Sequence, residues 1–168
     1  MNKENTMVLS VLAVNHPGVL LRVAGLFSRR GFNIDSIVAC RTENPAFSRL
    51  TLVVEGDEAT FTQLIRQLLK LEDIVKVRAM ETDNCSNSEL LVKVEAAGPS
   101  RGGVLKAAQT YGARVLDIGD ATVTIEMTGQ TDEMDHFIEH MEQFGVREMA
   151  RTGITALERR DEAILGEE

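Results

Sequence analysis

The sequence predicts an α+β protein made of two tandem βαββαβ sandwiches, each an antiparallel sheet with two helices on one face. Three observations predict this. Short runs alternate apolar and polar residues with a period of two, and between them apolar residues recur with the helical period. The order strand, helix, strand, strand, helix, strand occurs twice. The helical faces of the second half also repeat those of the first, at an offset of 84 residues for the first helices and 73 for the second. The second copy is therefore shorter in its middle hairpin by about 11 residues.

The elements follow in order. Met7 to Val14 is an apolar strand. Leu20, Val23, Ala24 and Phe27 then fall at i, i+3, i+4 and i+7, one face of a helix that stops at Gly31. Strand two runs from Phe32 to Arg41, with Phe32, Ile34, Val38 and Cys40 in one phase. The loop Thr42-Glu43-Asn44-Pro45 leads to strand three, where Leu50, Leu52 and Val54 alternate. Gly56-Asp57 breaks the chain before a helix carrying Phe61, Leu64, Ile65 and Leu68, and Ile74, Val75 and Val77 form strand four. After a polar linker, Leu90 to Ala96 is a strand. Val104, Ala107, Ala108 and Tyr111 make a helical face that stops at Gly112. Val115–Ile118 and Ala121–Thr128 form a hairpin through Gly119-Asp120. Met134, Phe137, Ile138 and Met141 give the last helix, and Val146 to Leu157 closes the repeat. The resulting domains are 5–81, a linker 82–88, a second domain 89–157 and a charged tail 158–168, expected as a frayed, solvated end. The sheet face away from the helices needs a cover, and pairing with a second chain is the simplest one, so a dimer is expected.

Composition narrows the function. At 43% hydrophobic and 26% charged, with no Trp and one Tyr, the chain can bury a core that is aliphatic and Met-rich. A net charge of −8 and scattered basic residues argue against nucleic acid as a partner. No apolar run nears the roughly 18 residues of a membrane span. The polar start, MNKENTM, lacks the apolar stretch of a secretory signal. Cys40 and Cys85 fit no metal or redox spacing and are expected as free thiols in a reducing cytosol.

The most informative segment is residues 14–34, VNHPGVLLRVAGLFSRRGFNI. Pro17 is expected at the first helical position, where its fixed φ suits the helix and no needed donor is lost. Gly18 allows close approach to backbone N–H groups, and a helix start offers both orphan donors and positive potential. Asn15 and Asn33 can bring amides to the same rim. The segment is suited to holding a small anion such as an amino acid. The alternative stays open that Asn15 only caps the helix and Gly18 only serves a turn.

Catalytic constellations are missing: there is no Ser-His-Asp order, P-loop, dinucleotide turn or HExxH. His136 and His140 share a helical spacing that can ligate a metal, but the core face lies opposite, so both are expected outside among carboxylates. His16 has no carboxylate or nucleophile in local reach to make it a general base. Cys40 is expected to be buried packing rather than a nucleophile, and Arg49 to face solvent or a partner.

The turn Asn15-His16-Pro17-Gly18-Val19-Leu20, followed by Gly31-Phe32-Asn33-Ile34, resembles the ACT domain, a ferredoxin-like amino-acid-sensing βαββαβ module. Leu20 to Ala39, Ser48-Arg49-Leu50-Thr51 and Gln67 to Val77 narrow the resemblance to the small regulatory subunit of acetolactate (acetohydroxyacid) synthase. Glu89 to Val94 and Arg151-Thr152-Gly153 extend it to the second half. The resemblance implies a cytoplasmic homodimer without catalysis of its own. It implies binding to a catalytic large subunit, activation of it, and feedback inhibition by valine or another branched-chain amino acid. Thiamine diphosphate, Mg and FAD would reside on the catalytic subunit only, with no cofactor or metal in this chain. It places the effector between two N-terminal domains, with Asn15 and Gly18 of one chain meeting its carboxylate and ammonium and Asn33 reaching in from the other. His16 and Pro17 complete the turn, and Val19, Leu20 and Ile34 wall the pocket. The loop Glu43 to Phe47 and Arg49 are candidate contacts to the catalytic subunit. The competing expectations are a stand-alone amino-acid sensor acting on another enzyme, an enzyme using His16 or the His136/His140 pair, and a ligand-free structural subunit.

Overall fold

The computed structural model describes residues 6–80, 85–159 and 163–165. They divide into two compact units. One comprises the described parts of 1–85 together with those of 153–168, the other residues 86–152.

In the first unit the elements are β1 (Thr6–Val14), α1 (Val19–Arg30), β2 (Ser36–Arg41), β3 (Phe47–Glu55), α2 (Glu58–Leu68) and β4 (Ile74–Met80). The strands form an antiparallel sheet in the order β2-β3-β1-β4. Alternate residues of a strand face opposite ways, so Leu9, Val11 and Ala13 on β1 and Leu50, Leu52 and Val54 on β3 share the helix-facing side, where all are buried. The helices close this core with Val19, Val23, Leu26 and Phe27 from α1 and Phe61, Leu64 and Leu68 from α2. The α2 start is fixed by Asp57, whose carboxylate accepts from the Thr60 N–H at 2.8 Å; the Thr60 side chain first, and this N–H next, hold the Asp57 carboxyl below its usual range.

Two local expectations are corrected. The buried stripe of α1 is rotated from the predicted one: Leu26 is inside, whereas Ala24 is exposed and Leu20 is 46% exposed. β2 is shorter than predicted and inverted in phase. Phe32 and Ile34 pack on the core ahead of the strand, and the strand itself begins only at Ser36. Ile37 and Ala39 then pair with the core residues Leu52 and Leu50, which turns Val38 and Cys40 to the other face. Cys40 is exposed, not buried, because β2 is an edge strand.

The second unit repeats the pattern with β5 (Cys85–Glu95), α3 (Ser100–Thr110), β6 (Arg114–Ile118), β7 (Thr122–Gly129), α4 (Thr131–Glu142) and β8 (Val146–Arg151). The strand path is β6-β7-β5-β8, the same topology as the first sheet. Its core holds Leu90, Val92, Val94, Val123, Ile125, Met134, Phe137 and Met141. α4 begins with a reciprocal capping box between Gln130 and Glu133. β5 starts at Cys85, inside the expected linker, of which residues 82–84 lie outside the described residues. The side of this sheet away from the helices carries charge, including the Lys93–Glu148 and Arg114–Glu126 ion pairs, and suits water.

The outer face of the first sheet is different. Ser10, Leu12, Thr51 and Val53 point away from the helices, yet none is more than 2% exposed. A strap at the C-terminal end, containing β9 (Thr155–Leu157), covers them. Gly153 lies so close to Ser36 and Val38 on β2 that a Cβ there would sit 2.9 Å from both side chains. Arg49 on β3 donates from Nη1 to the Ala156 carbonyl at 3.4 Å, and Arg78 on β4 pairs with Glu158. Ala156 and Ile164 are 1% and 4% exposed. The expected solvated tail is thus, over its described residues, a packed cover. It forms because this face is too apolar to be left open, and the chain's own end covers it where a second chain was expected. Arg49 lies half-buried at a cavity of about 300 Å³ beneath the strap, together with Glu43, rather than facing solvent.

Candidate functional site

The turn between β1 and α1 builds a cleft of about 250 Å³ with the neighbouring ends of β2 and β3. Asn15, His16, Val19 and Leu20 line it from the turn, and Ala39, Cys40, Arg41, Ser48 and Leu50 from the two strands. Its apolar wall continues the core, since Val19 and Leu50 are buried. Its rim is polar.

Local geometry sets that rim. Gly18 occupies the N-cap of α1 with φ 94°, a left-handed backbone that a residue with a Cβ adopts only under strain. Pro17 therefore lies before the helix rather than at its first position. The Gly18 carbonyl accepts the first helical bond from the Arg22 N–H at 3.0 Å. No side chain caps this helix end, so its first N–H groups stay open to an anion. Asn15 does not cap the helix either. It ties the turn to the β2–β3 loop instead: its N–H donates to the Ala46 carbonyl at 2.8 Å, and Nδ2 donates to the Pro45 carbonyl at 3.0 Å. Its Oδ1 accepts from Ser48 Oγ at 2.9 Å.

His16 has the charge-bearing position. Nδ1 lies 2.9 Å from the Pro17 carbonyl and Nε2 lies 2.6 Å from Asp73 Oδ1. Both neighbours are acceptors, so both ring nitrogens must donate, which favours the imidazolium. The Pro17 carbonyl first, and Asp73 next, accordingly raise the His16 pKa above 6.5. Asp73 is buried at the start of β4, and its Oδ2 also accepts from Arg22 Nη1 at 2.8 Å. No carboxylate lies within local reach of His16 in the sequence; the one present comes from 57 residues away.

Not every expected site residue meets here. Asn33 lies elsewhere, its Nδ2 bonded to Asp35 Oδ1 at 2.9 Å, and Ile34 packs against the core. Ser48, Ala39, Cys40, Arg41 and Asp73 join the site without a contiguous motif, because sheet register and a loop distant in sequence bring them in. Only the Ser48-Arg49-Leu50-Thr51 run carried a signal. The other histidines give no metal site: His136 is exposed, and His140, expected outside, stacks with Phe144 and meets Tyr111 edge-on. Among the described residues no cluster of His, Cys, Asp and Glu suits a metal ion, and no helix is long and apolar enough to cross a membrane.

Comparison with known proteins places this geometry. Residues 9–76 match a family described as the AHAS small subunit-like ACT domain, and residues 88–160 match one described as the small subunit of acetolactate synthase. The probable acetolactate synthase small subunit of Methanothermobacter thermautotrophicus is 40% identical over 94% of this chain and 95% of its own length. The acetolactate synthase small subunit of Mycobacterium leprae is 43% identical over 92% of each. In three dimensions, the acetolactate synthase small subunit of Thermotoga maritima matches with a TM-score of 0.87 and 34% identity, covering 93% of this chain and 98% of that one. With both halves matched and near-full-length relatives at this identity, the chain belongs to the acetolactate synthase small-subunit family.

Proposed function

We propose that this protein is the regulatory subunit of an acetolactate synthase: it binds the catalytic large subunit, raises its activity and makes it inhibitable by valine. The observation that carries the reading is the cleft at the start of α1. There an uncapped helix end, a cationic His16 and the Asn15–Ser48 pair border an apolar wall from Val19 and Leu50. Such a site matches an amino acid in every part, with N–H donors and positive charge for its carboxylate, side-chain oxygens for its ammonium, and apolar surface for a small branched side chain. Thiamine diphosphate, Mg and FAD then belong to the catalytic subunit, and the complex to the cytoplasm.

The proposed assembly is a homodimer in which the cleft of one chain is completed by Asn33 of a second copy. Edge strands, not the strapped sheet face, are left for that pairing. The mechanism is a population shift. Valine bridging two chains favours one arrangement of the dimer, with a differential affinity worth about 1–3 kcal/mol. Calorimetric titration of the full chain with valine, leucine and isoleucine tests this beside Asn15→Ala. Saturable valine binding that the substitution removes supports the sensor, and the complex with the catalytic subunit should then stay active but uninhibited. Loss of activity together with inhibition argues against a pure effector role.

A further inference from the structure

Asp73 has no part in ligand contact on the reading above, yet it ties together the elements that build the cleft. It is 7% exposed and reaches two side chains of the turn and helix: His16 at 2.6 Å and Arg22 at 2.8 Å. Its backbone carbonyl also accepts from the Val14 N–H at 2.8 Å. One residue therefore holds the last residue of β1, the middle of the turn and the first turn of α1, which bracket Asn15 and Gly18. The charges do not cancel. An imidazolium and a guanidinium against one carboxylate leave a net positive charge beside the open helix start.

We propose that Asp73 is the positioning residue of this turn: by gripping His16 and Arg22 together it fixes the Asn15–Gly18 geometry and keeps a cationic His16 at the rim, for the carboxylate of the amino-acid effector. The inference rests on the sensor reading. The titratable groups around His16 are Asp73 at the head of β4, Arg22 on α1, and Arg41 and Cys40 on β2 across the cleft. Of these, Arg22 opposes the His16 charge and Asp73 favours it. An effector carboxylate should accordingly bind more tightly while His16 is charged, and affinity should fall as pH rises through the His16 midpoint.

The test uses the full chain and valine. Asp73→Asn keeps the shape but removes the charge, and it puts an NH2, which cannot accept, in place of one of the two oxygens that meet His16 and Arg22. NMR titration should then show the His16 midpoint lowered, though held partly by the Pro17 carbonyl. Calorimetry at neutral pH should show valine affinity weakened roughly tenfold, as for loss of one charge-assisted bond. The inflection in affinity against pH should move down with the His16 midpoint. Arg22→Gln should do the opposite to His16 and raise its midpoint; this arm decides the matter if Asp73→Asn fails to fold. An unmoved His16 midpoint in either variant overturns the clamp. A lowered midpoint with unchanged valine affinity overturns its positioning role alone. Absence of valine binding in the unsubstituted chain overturns the sensor reading, and this inference with it.

Discussion

Asn15 holds the cleft together at the level of single residues. Its N–H and both ends of its side-chain amide are bonded to the loop before β3 or to β3 itself, so any force on Asn15 is felt at Ser48. Ser48→Ala removes the donor to Asn15 Oδ1 while leaving the Pro45 and Ala46 bonds. The chain should fold as before, with a loss of order 1 kcal/mol in valine binding, read by calorimetry. Asn15, His16, Val19 and Leu20 were legible in the sequence because they are contiguous, and one turn places them together. Asp73, 57 residues from His16, was not, since nothing in local periodicity tells which loop closes over which turn. The same limit explains Cys40. Its burial was inferred from a phase set by Phe32 and Ile34, and those residues precede the strand.

At the scale of elements, periodicity served best where an element was long and packed on one side. The phases of β3, α2 and α4 came out as expected, because several residues per element vote for one face. β2, only 6 residues long and at a sheet edge, was mis-phased, since a single extra residue before a strand flips every side chain. The strap was missed for another reason. Its apolar residues, Ile154, Ala156, Leu157, Ala163, Ile164 and Leu165, follow no clean strand or helix period, so they mark no face. Its tightest approach is Gly153 against Ser36 and Val38. Gly153→Val should force the strap off β2, costing about 1–3 kcal/mol of stability. Denaturant unfolding reads the loss, and faster amide exchange at Thr155 to Leu157 locates it. An equally stable variant with unchanged exchange would show that this contact does not anchor the strap.

Across the whole molecule, the repeat in the sequence is real, yet the two copies are not closed off alike. The second unit carries ion pairs on its outer face, whereas the first borrows a segment that lies beyond the second in the chain. Tandem order in sequence thus hides an insertion: residues 86–152 interrupt the first unit. A chain truncated after Thr152 should keep the second unit folded but uncover Ser10, Leu12, Thr51 and Val53. It should bind more of a hydrophobic dye and associate beyond the dimer, as seen by light scattering, while the full chain does neither. A monodisperse truncated chain with unchanged dye binding would mean that the strap is not the cover.

That interruption also sets a clock. During synthesis the first sheet can form once β4 has left the ribosome, but its outer face stays bare until the 67 residues of the inserted unit have been made. At about 5–20 residues per second the delay is roughly 3–13 s. For that interval the nascent chain carries an apolar surface that the finished protein never shows, and chaperones or neighbouring nascent chains have their one opportunity to engage it.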